Sequence, residues 1–306
     1  MTPAQAVGRL SSDGCAIFLF HGVVERHAHR VRNYTRKHLA KDDFATLMKA
    51  LSGAGTPLSL DRLVAHAAMG EPLPPRSFAV TFDDGFRNNL TVAAPVLADF
   101  GIPATFYVTT GFVADNLMSW IDRIEFAVET VLERGGGGDL RLPWGRRGFD
   151  GPDTARALLD DVRRAVKGDA RLDPQGVADA VEDQLGLPRT RSGDGELDRK
   201  LDWDELRQLA AGPGFTVGGH SHTHAILSFL DDEALGWEVR TSLDLLRTQA
   251  GIDTTHYSYP EGLAHCYSNR VIELLRREGI ACCPTAEDGI NRDPMDLFRL
   301  KRIMVA

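Results

Sequence analysis

Apolar positions along this chain recur with two periods, and the change between them marks out its elements. Short segments at 16–20, 78–82, 104–108, 215–218, 256–259, 280–283 and 300–304, most of them apolar, read as strands. Stretches with a 3.6-residue apolar stripe lie between them. Phe44, Leu47, Met48 and Leu51 line one face ahead of Gly53, which is expected to stop that helix. Asp202 with Glu205 three positions on forms a capping box. Val271, Ile272, Leu274 and Leu275 mark another helix, ending near Gly279. Alternation of strand and helix predicts an α/β protein with a parallel sheet. The pattern alone does not choose between a closed barrel and an open sheet.

The texture changes between 115 and 200. Gly135 to Gly138 form a four-glycine break, and the Arg- and Asp-rich stretches 155–166 and 177–185 follow with helical spacing. We read 1–306 as one domain with a helical insertion over 115–200. If the domain is a barrel, the loop after a strand opens onto the catalytic face, so the insertion is expected to border the active-site rim. The competing reading is a solvated decoration far from the site.

Composition narrows the class. A chain of 306 residues, 43% hydrophobic, can bury a large core. A formal net charge of −8 argues against a nucleic-acid partner or an anionic membrane surface. No run reaches the length of a membrane span. The apolar stretch 15–24 contains His21 and lacks the flanks of a signal peptide. Cys15, Cys266, Cys282 and Cys283 show no zinc-ribbon or disulfide-framework spacing, so free, buried thiols and a cytoplasmic address are expected.

Two motifs carry chemistry. The apolar run Ser77-Phe78-Ala79-Val80-Thr81-Phe82 ends in Asp83-Asp84-Gly85, which delivers two carboxylates to the end of a strand. Gly219-His220-Ser221-His222-Thr223-His224 follows another apolar run and sets two imidazoles four residues apart, on one helical or turn face. One aspartate and two histidines can grip a divalent metal while leaving positions for water and substrate. The second aspartate is then free to act as a base on that water. Asp-Asp-Gly has a plainer reading as a common turn. The histidines have an alternative pairing, since on a strand His220 and His222 would share a face, as in the His-x-His of amidohydrolases. That pair normally follows the first strand of its barrel, and here it lies late. A two-His-one-carboxylate set also describes non-haem iron oxygenases, but those sit mostly on all-β barrels.

Thr81-Phe82-Asp83-Asp84-Gly85 resembles the first motif of the polysaccharide deacetylase (NodB-like) family, and His220-Ser221-His222-Thr223-His224 is similar to its second, His-Ser/Thr-x-x-His. The resemblance runs on through Phe112 and resumes from Leu201 nearly to the end. It implies a distorted seven-stranded (β/α) barrel, with Asp83 as base and Asp84, His220 and His224 as ligands of one divalent metal. The reaction implied is hydrolysis of an N-acetyl group on a sugar. The ligand set suits Zn²⁺, and also Co²⁺, Ni²⁺ or Fe²⁺.

The family also has a late Leu-x-His motif whose histidine is the general acid. The run Leu300-Lys301-Arg302-Ile303 has no histidine, whereas Leu19-Phe20-His21 closes the first strand. The chain therefore resembles circularly permuted members, with His21 as the acid; an ordinary near-neutral imidazole suits that task. The third family motif departs. Ser258-Tyr259-Pro260-Glu261 stands where Arg-x-Pro-Tyr is usual, so the arginine that would orient Asp83 is missing. Glu261, through its backbone N–H, is expected to serve an oxyanion hole beside Tyr259 and Pro260. Trp120 and Asp122 are candidates to stack on and hydrogen-bond a sugar, and Trp120 equally suits a core anchor. The implied activity is an N-deacetylase acting on an N-acylated amino sugar. The alternatives are an N-deformylase or amidase, or a sugar-binding homologue without activity.

Overall fold

Five parallel strands form the centre of the protein, described over residues 1–306 by a computed structural model. They are β1 (Cys15–Phe20), β2 (Ser77–Phe82), β3 (Ala104–Val108), β4 (Phe215–Gly219) and β5 (Ile303–Met304), in the spatial order β5-β1-β2-β3-β4. All six residues of β1 and of β2 are buried, as continuous apolar runs require when both faces are covered. Register brings Phe20, Phe82 and Phe106 side by side. Their rings stack at 5.3 and 5.1 Å, and Phe44 of the helix Lys41–Ala54 packs edge-on against Phe20. Side chains alternate along a strand, so the residue after each aromatic, His21 or Asp83, turns to the opposite face.

Beyond β4 the ring continues through single bridges. Tyr257 pairs with Gly219, and His256 with Cys282, both in parallel. Cys283 N–H then donates to Leu297 O at 2.9 Å and Thr285 N–H to Leu300 O at 2.8 Å. These bonds return the ring to the segment leading into β5 and complete a distorted (β/α) barrel. The expected strands at 256–259 and 280–283 are thus reduced to bridges. Pro260 and Pro284 follow them at once and have no N–H with which to extend a ladder.

The helices follow the stripes, with two differences. Phe44, Leu47, Met48 and Leu51 are buried as expected, but Gly53 lies inside the helix Lys41–Ala54, and Gly55 closes it through a bond to Leu51 O. Asp202 and Glu205 cap the helix Trp203–Ala210 reciprocally. The four-glycine stretch is not a simple break. Gly138 opens an antiparallel hairpin, Gly138–Leu142 with Gly145–Phe149, that turns Leu140 and Leu142 inward.

Residues 1–26, 37–116 and 200–306 form one compact unit, which holds the barrel. Residues 27–36 and 117–199 form the other. The second unit has its own apolar core, built on the helices Trp120–Glu133, Pro152–Gly168 and Pro174–Gln184 and on the hairpin. Glu129 staples 30–32 to the first of these helices by accepting from three successive backbone N–H groups, at 2.7 to 3.1 Å. Arg123 is buried in this unit and paired with Asp179 and Glu182. No helix of the chain is long and apolar enough to cross a membrane.

Candidate active site

Asp83 and Asp84 follow β2 directly. Asp83 N–H still donates to Phe20 O at 3.0 Å, but the chain leaves the sheet at the next residue, where Asp84 takes φ +77° and Gly85 φ +81°. A Cβ on Gly85 would also press on Val108 at 3.1 Å, so glycine meets both demands there. Ser221, His224 and Glu261 likewise hold positive φ. Such conformations cost about 1–3 kcal/mol each and persist where the surroundings over-determine them. Their gathering at the carboxyl ends of the strands is itself a mark of a functional site.

Asp84, His220 and His224 converge, with their ligand atoms all within 4.8 Å of one another. Asp84 Oδ1 lies 3.3 Å from His224 Nε2 and 3.8 Å from His220 Nε2, is buried, and has no well-formed hydrogen bond. His220 Nδ1 stands 2.9 Å from Ser258 O, which can only accept, so Nδ1 carries the proton and Nε2 faces the cluster with its lone pair. One orphaned carboxylate oxygen and two imidazole nitrogens fit a single divalent metal, and the donor set accommodates Zn²⁺, Co²⁺, Ni²⁺ or Fe²⁺. Lys37 Nζ holds the other oxygen of Asp84 at 2.9 Å. Burial alone would raise the Asp84 carboxyl, but Lys37 and His224 hold it well below the usual carboxylate range. Burial disfavours the charged form of His224, yet the adjacent Asp84 raises it above an ordinary imidazole. His220 is lowered, chiefly by burial.

Asp83 is held from elsewhere. Arg302, fully buried, gives it a bidentate grip, Nη1 to Oδ1 and Nη2 to Oδ2, both at 2.8 Å. Burial pushes Asp83 up, but Arg302 and then His220 overcome it, so the carboxyl sits below its ordinary value. Ser258, at the place of the family arginine, instead reaches toward Asp83 Oδ1 at 3.4 Å and His220 Nδ1 at 2.7 Å. Arg302 was not among the residues singled out in the sequence, although an arginine inside the expected strand 300–304 is a readable signal. Lys37 carries no such signal.

His21 follows β1 and lies in the field of Asp84, Lys37, Asp83 and Arg302. Burial is the largest influence and pushes its ring down to about 4, so it is neutral near pH 7 rather than the near-neutral titrating group expected from sequence. Pro260 and Glu261 form a tight turn in which Gly262 N–H donates to Pro260 O at 2.7 Å. Tyr259 is turned inward: it is fully buried, its ring stacks on Tyr267 at 4.7 Å, and its hydroxyl donates to Phe298 O. His222 is not brought to the cluster; its Nδ1 meets Thr110 Oγ1 at 3.0 Å and its ring meets Trp237. Trp120 and Asp122 belong to the second unit. Trp120, 8% exposed, is part of that unit's apolar core, and Asp122 is buried in the first turn of its helix.

The chain belongs to the polysaccharide deacetylase family, whose profile matches residues 70–283. That membership makes it a carbohydrate deacetylase, a hydrolase. No curated protein sequence matches it. Among solved structures it is similar to a Streptococcus pyogenes deacetylase, PplD, in complex with acetate, at 16% identity and TM-score 0.60, over 95% of this chain and 92% of that one. It is similar also to IcaB from Ammonifex degensii (18%, TM-score 0.59, 97% and 94%). The deacetylase domain of BpsB from Bordetella bronchiseptica is comparable (16%, TM-score 0.57, 96% of each chain). At these identities the likeness speaks for the fold, a NodB-like α/β barrel.

Proposed function

We propose that this protein is a metal-dependent N-deacetylase acting on an amino sugar or a glycan intermediate. The observation that carries the reading is the adjacency of a buried, arginine-held Asp83 to the Asp84, His220 and His224 cluster. Asp84, His220 and His224 would hold a divalent ion, which when bound would supply Lewis acidity toward an acyl carbonyl and toward water.

The chain's own groups then divide the work. Asp83, ionised and fixed in orientation by Arg302, takes a proton from the attacking water as the C–O bond forms. The backbone N–H of Glu261 donates to the developing oxyanion, and a backbone donor does this whatever its side chain. His21 enters turnover neutral, receives the proton that Asp83 has collected, and passes it to the nitrogen as the C–N bond breaks. The products part as carboxylic acid and amine, the acid's remaining proton ending on the amine as carboxylate and ammonium form, and both catalytic groups return to their starting states. Trp120 has a place in the core of its unit, which supports a packing role over a sugar platform.

The test is release of acetate from N-acetyl amino sugars by metal-loaded protein, with formyl analogues run beside them. Formate release without acetate release would favour an N-deformylase.

A further inference from the structure

The turn that carries both histidine ligands is held by a side chain with no part in the mechanism above. Every backbone N–H from His220 to His224 has an acceptor. His220 donates to Val108 O at 3.0 Å, Ser221 to the Tyr257 hydroxyl at 2.9 Å, and His224 to Ser221 Oγ at 2.9 Å. The two residues between the ligands, His222 and Thr223, both donate to Glu238 Oε2, at 2.8 and 2.9 Å. The other oxygen of Glu238 accepts the Thr223 hydroxyl.

Glu238 is only 4% exposed, on the helix Asp232–Ala250. Ser242 lies four residues on, hence on the same face, and its hydroxyl stands 2.9 Å from that of Tyr257. One helix face therefore reaches every N–H of 221–223, directly or through Tyr257. A buried donor left without its acceptor is costly, and the positive φ of Ser221 and His224 persists only while the surroundings impose it.

We propose that Glu238 is the positioning residue of the metal centre: by clamping His222 and Thr223 it fixes the separation and aim of His220 and His224. The inference rests on the assignment of Asp84, His220 and His224 as the ligand set. Glu238 bonds the span between the ligands, so its loss should loosen the centre while leaving each ligand in place chemically.

Co²⁺ titration of the full-length protein, followed by calorimetry and by the visible absorption of the bound ion, tests it. Glu238→Ala is expected to weaken Co²⁺ about 10–100-fold, the range for lost outer-sphere support, and to alter the absorption bands. Glu238→Gln is the rescue, because its amide oxygen can take both N–H groups while its NH₂ faces the Thr223 hydroxyl, which can accept. It is expected to stay within about threefold of wild type, well short of that lost outer-sphere range. If the alanine variant does not fold, Glu238→Asp, whose carboxylate stops one methylene short, takes its place with the same expected weakening. A folded alanine or aspartate variant with wild-type affinity and bands overturns the inference alone. A wild-type protein that binds no Co²⁺ overturns the ligand set, and the inference with it.

Discussion

Arg302 and Asp83, 219 residues apart in the chain, meet in two parallel hydrogen bonds of 2.8 Å inside the barrel. The guanidinium fork matches a carboxylate in both charge and geometry, so it fixes the carboxylate's orientation as well as its ionisation. Ser258 stands where the family motif has an arginine, and Arg302, just ahead of β5, holds the carboxylate instead.

Removing Arg302 should therefore change the pH dependence of catalysis. Asp83 now sits below its ordinary 3.8, so the acidic limb of kcat/KM lies below that value in the wild type. In Arg302→Met, burial is left to act without its main counterweight, and the limb should move to higher pH. The pair also contributes stability, which is fully present above the unfolded carboxylate value and lost as pH falls below 3.8. Breaking it leaves a buried charge uncompensated, at a cost of about 3–5 kcal/mol. A pH–rate profile and denaturant melts of Arg302→Met and Arg302→Lys check both, with lysine intermediate because it cannot form the fork.

His21 should matter in proportion to how badly the leaving group needs a proton. His21→Ala should keep its metal and lose about 10²–10⁴-fold in turnover on an N-acetyl sugar. An activated aryl acetate, whose phenolate leaves unaided, should be cleaved nearly as fast as by wild type. Burial puts the ring at about 4, so the wild-type profile should also lack an alkaline limb near the ordinary histidine value of 6.5. Equal losses on both substrates would remove His21 from the acid's role.

Trp120 offers a contrast between packing and binding. Truncating a buried tryptophan costs about 3–5 kcal/mol. Trp120→Ala is expected to lower the thermal midpoint while the folded fraction keeps its metal content and KM. A raised KM with an unchanged midpoint would instead return Trp120 to the substrate.

The barrel was legible where chemistry is local. Strands β1 to β4 were readable as apolar runs, and Asp83, Asp84, His220 and His224 because each pair lies within a few residues of its partner. The sequence favoured His224 over His222 on its four-residue spacing from His220 and on the late position of the pair in the chain; the geometry adds that His222 is taken up by Thr110 and Trp237. What sequence did not reveal is long-range. Arg302 reaches Asp83 only once the ring closes, and Lys37 reaches Asp84 from a loop with no periodicity of its own. The neutral state of His21 follows from burial, which no local pattern encodes. The hairpin Gly138–Leu142 with Gly145–Phe149 was hidden by its glycines, although Leu140 and Leu142 already alternate.

One titration tests the metal requirement most directly. Protein stripped of metal by chelator is mixed with an N-acetyl amino sugar that the loaded enzyme turns over, and acetate is followed as Zn²⁺ is added. Release should start from zero, saturate near one ion per chain, and be abolished in His224→Ala, which should also fail to retain Zn²⁺ by elemental analysis. Acetate release by metal-free protein, or full activity in His224→Ala, would contradict it.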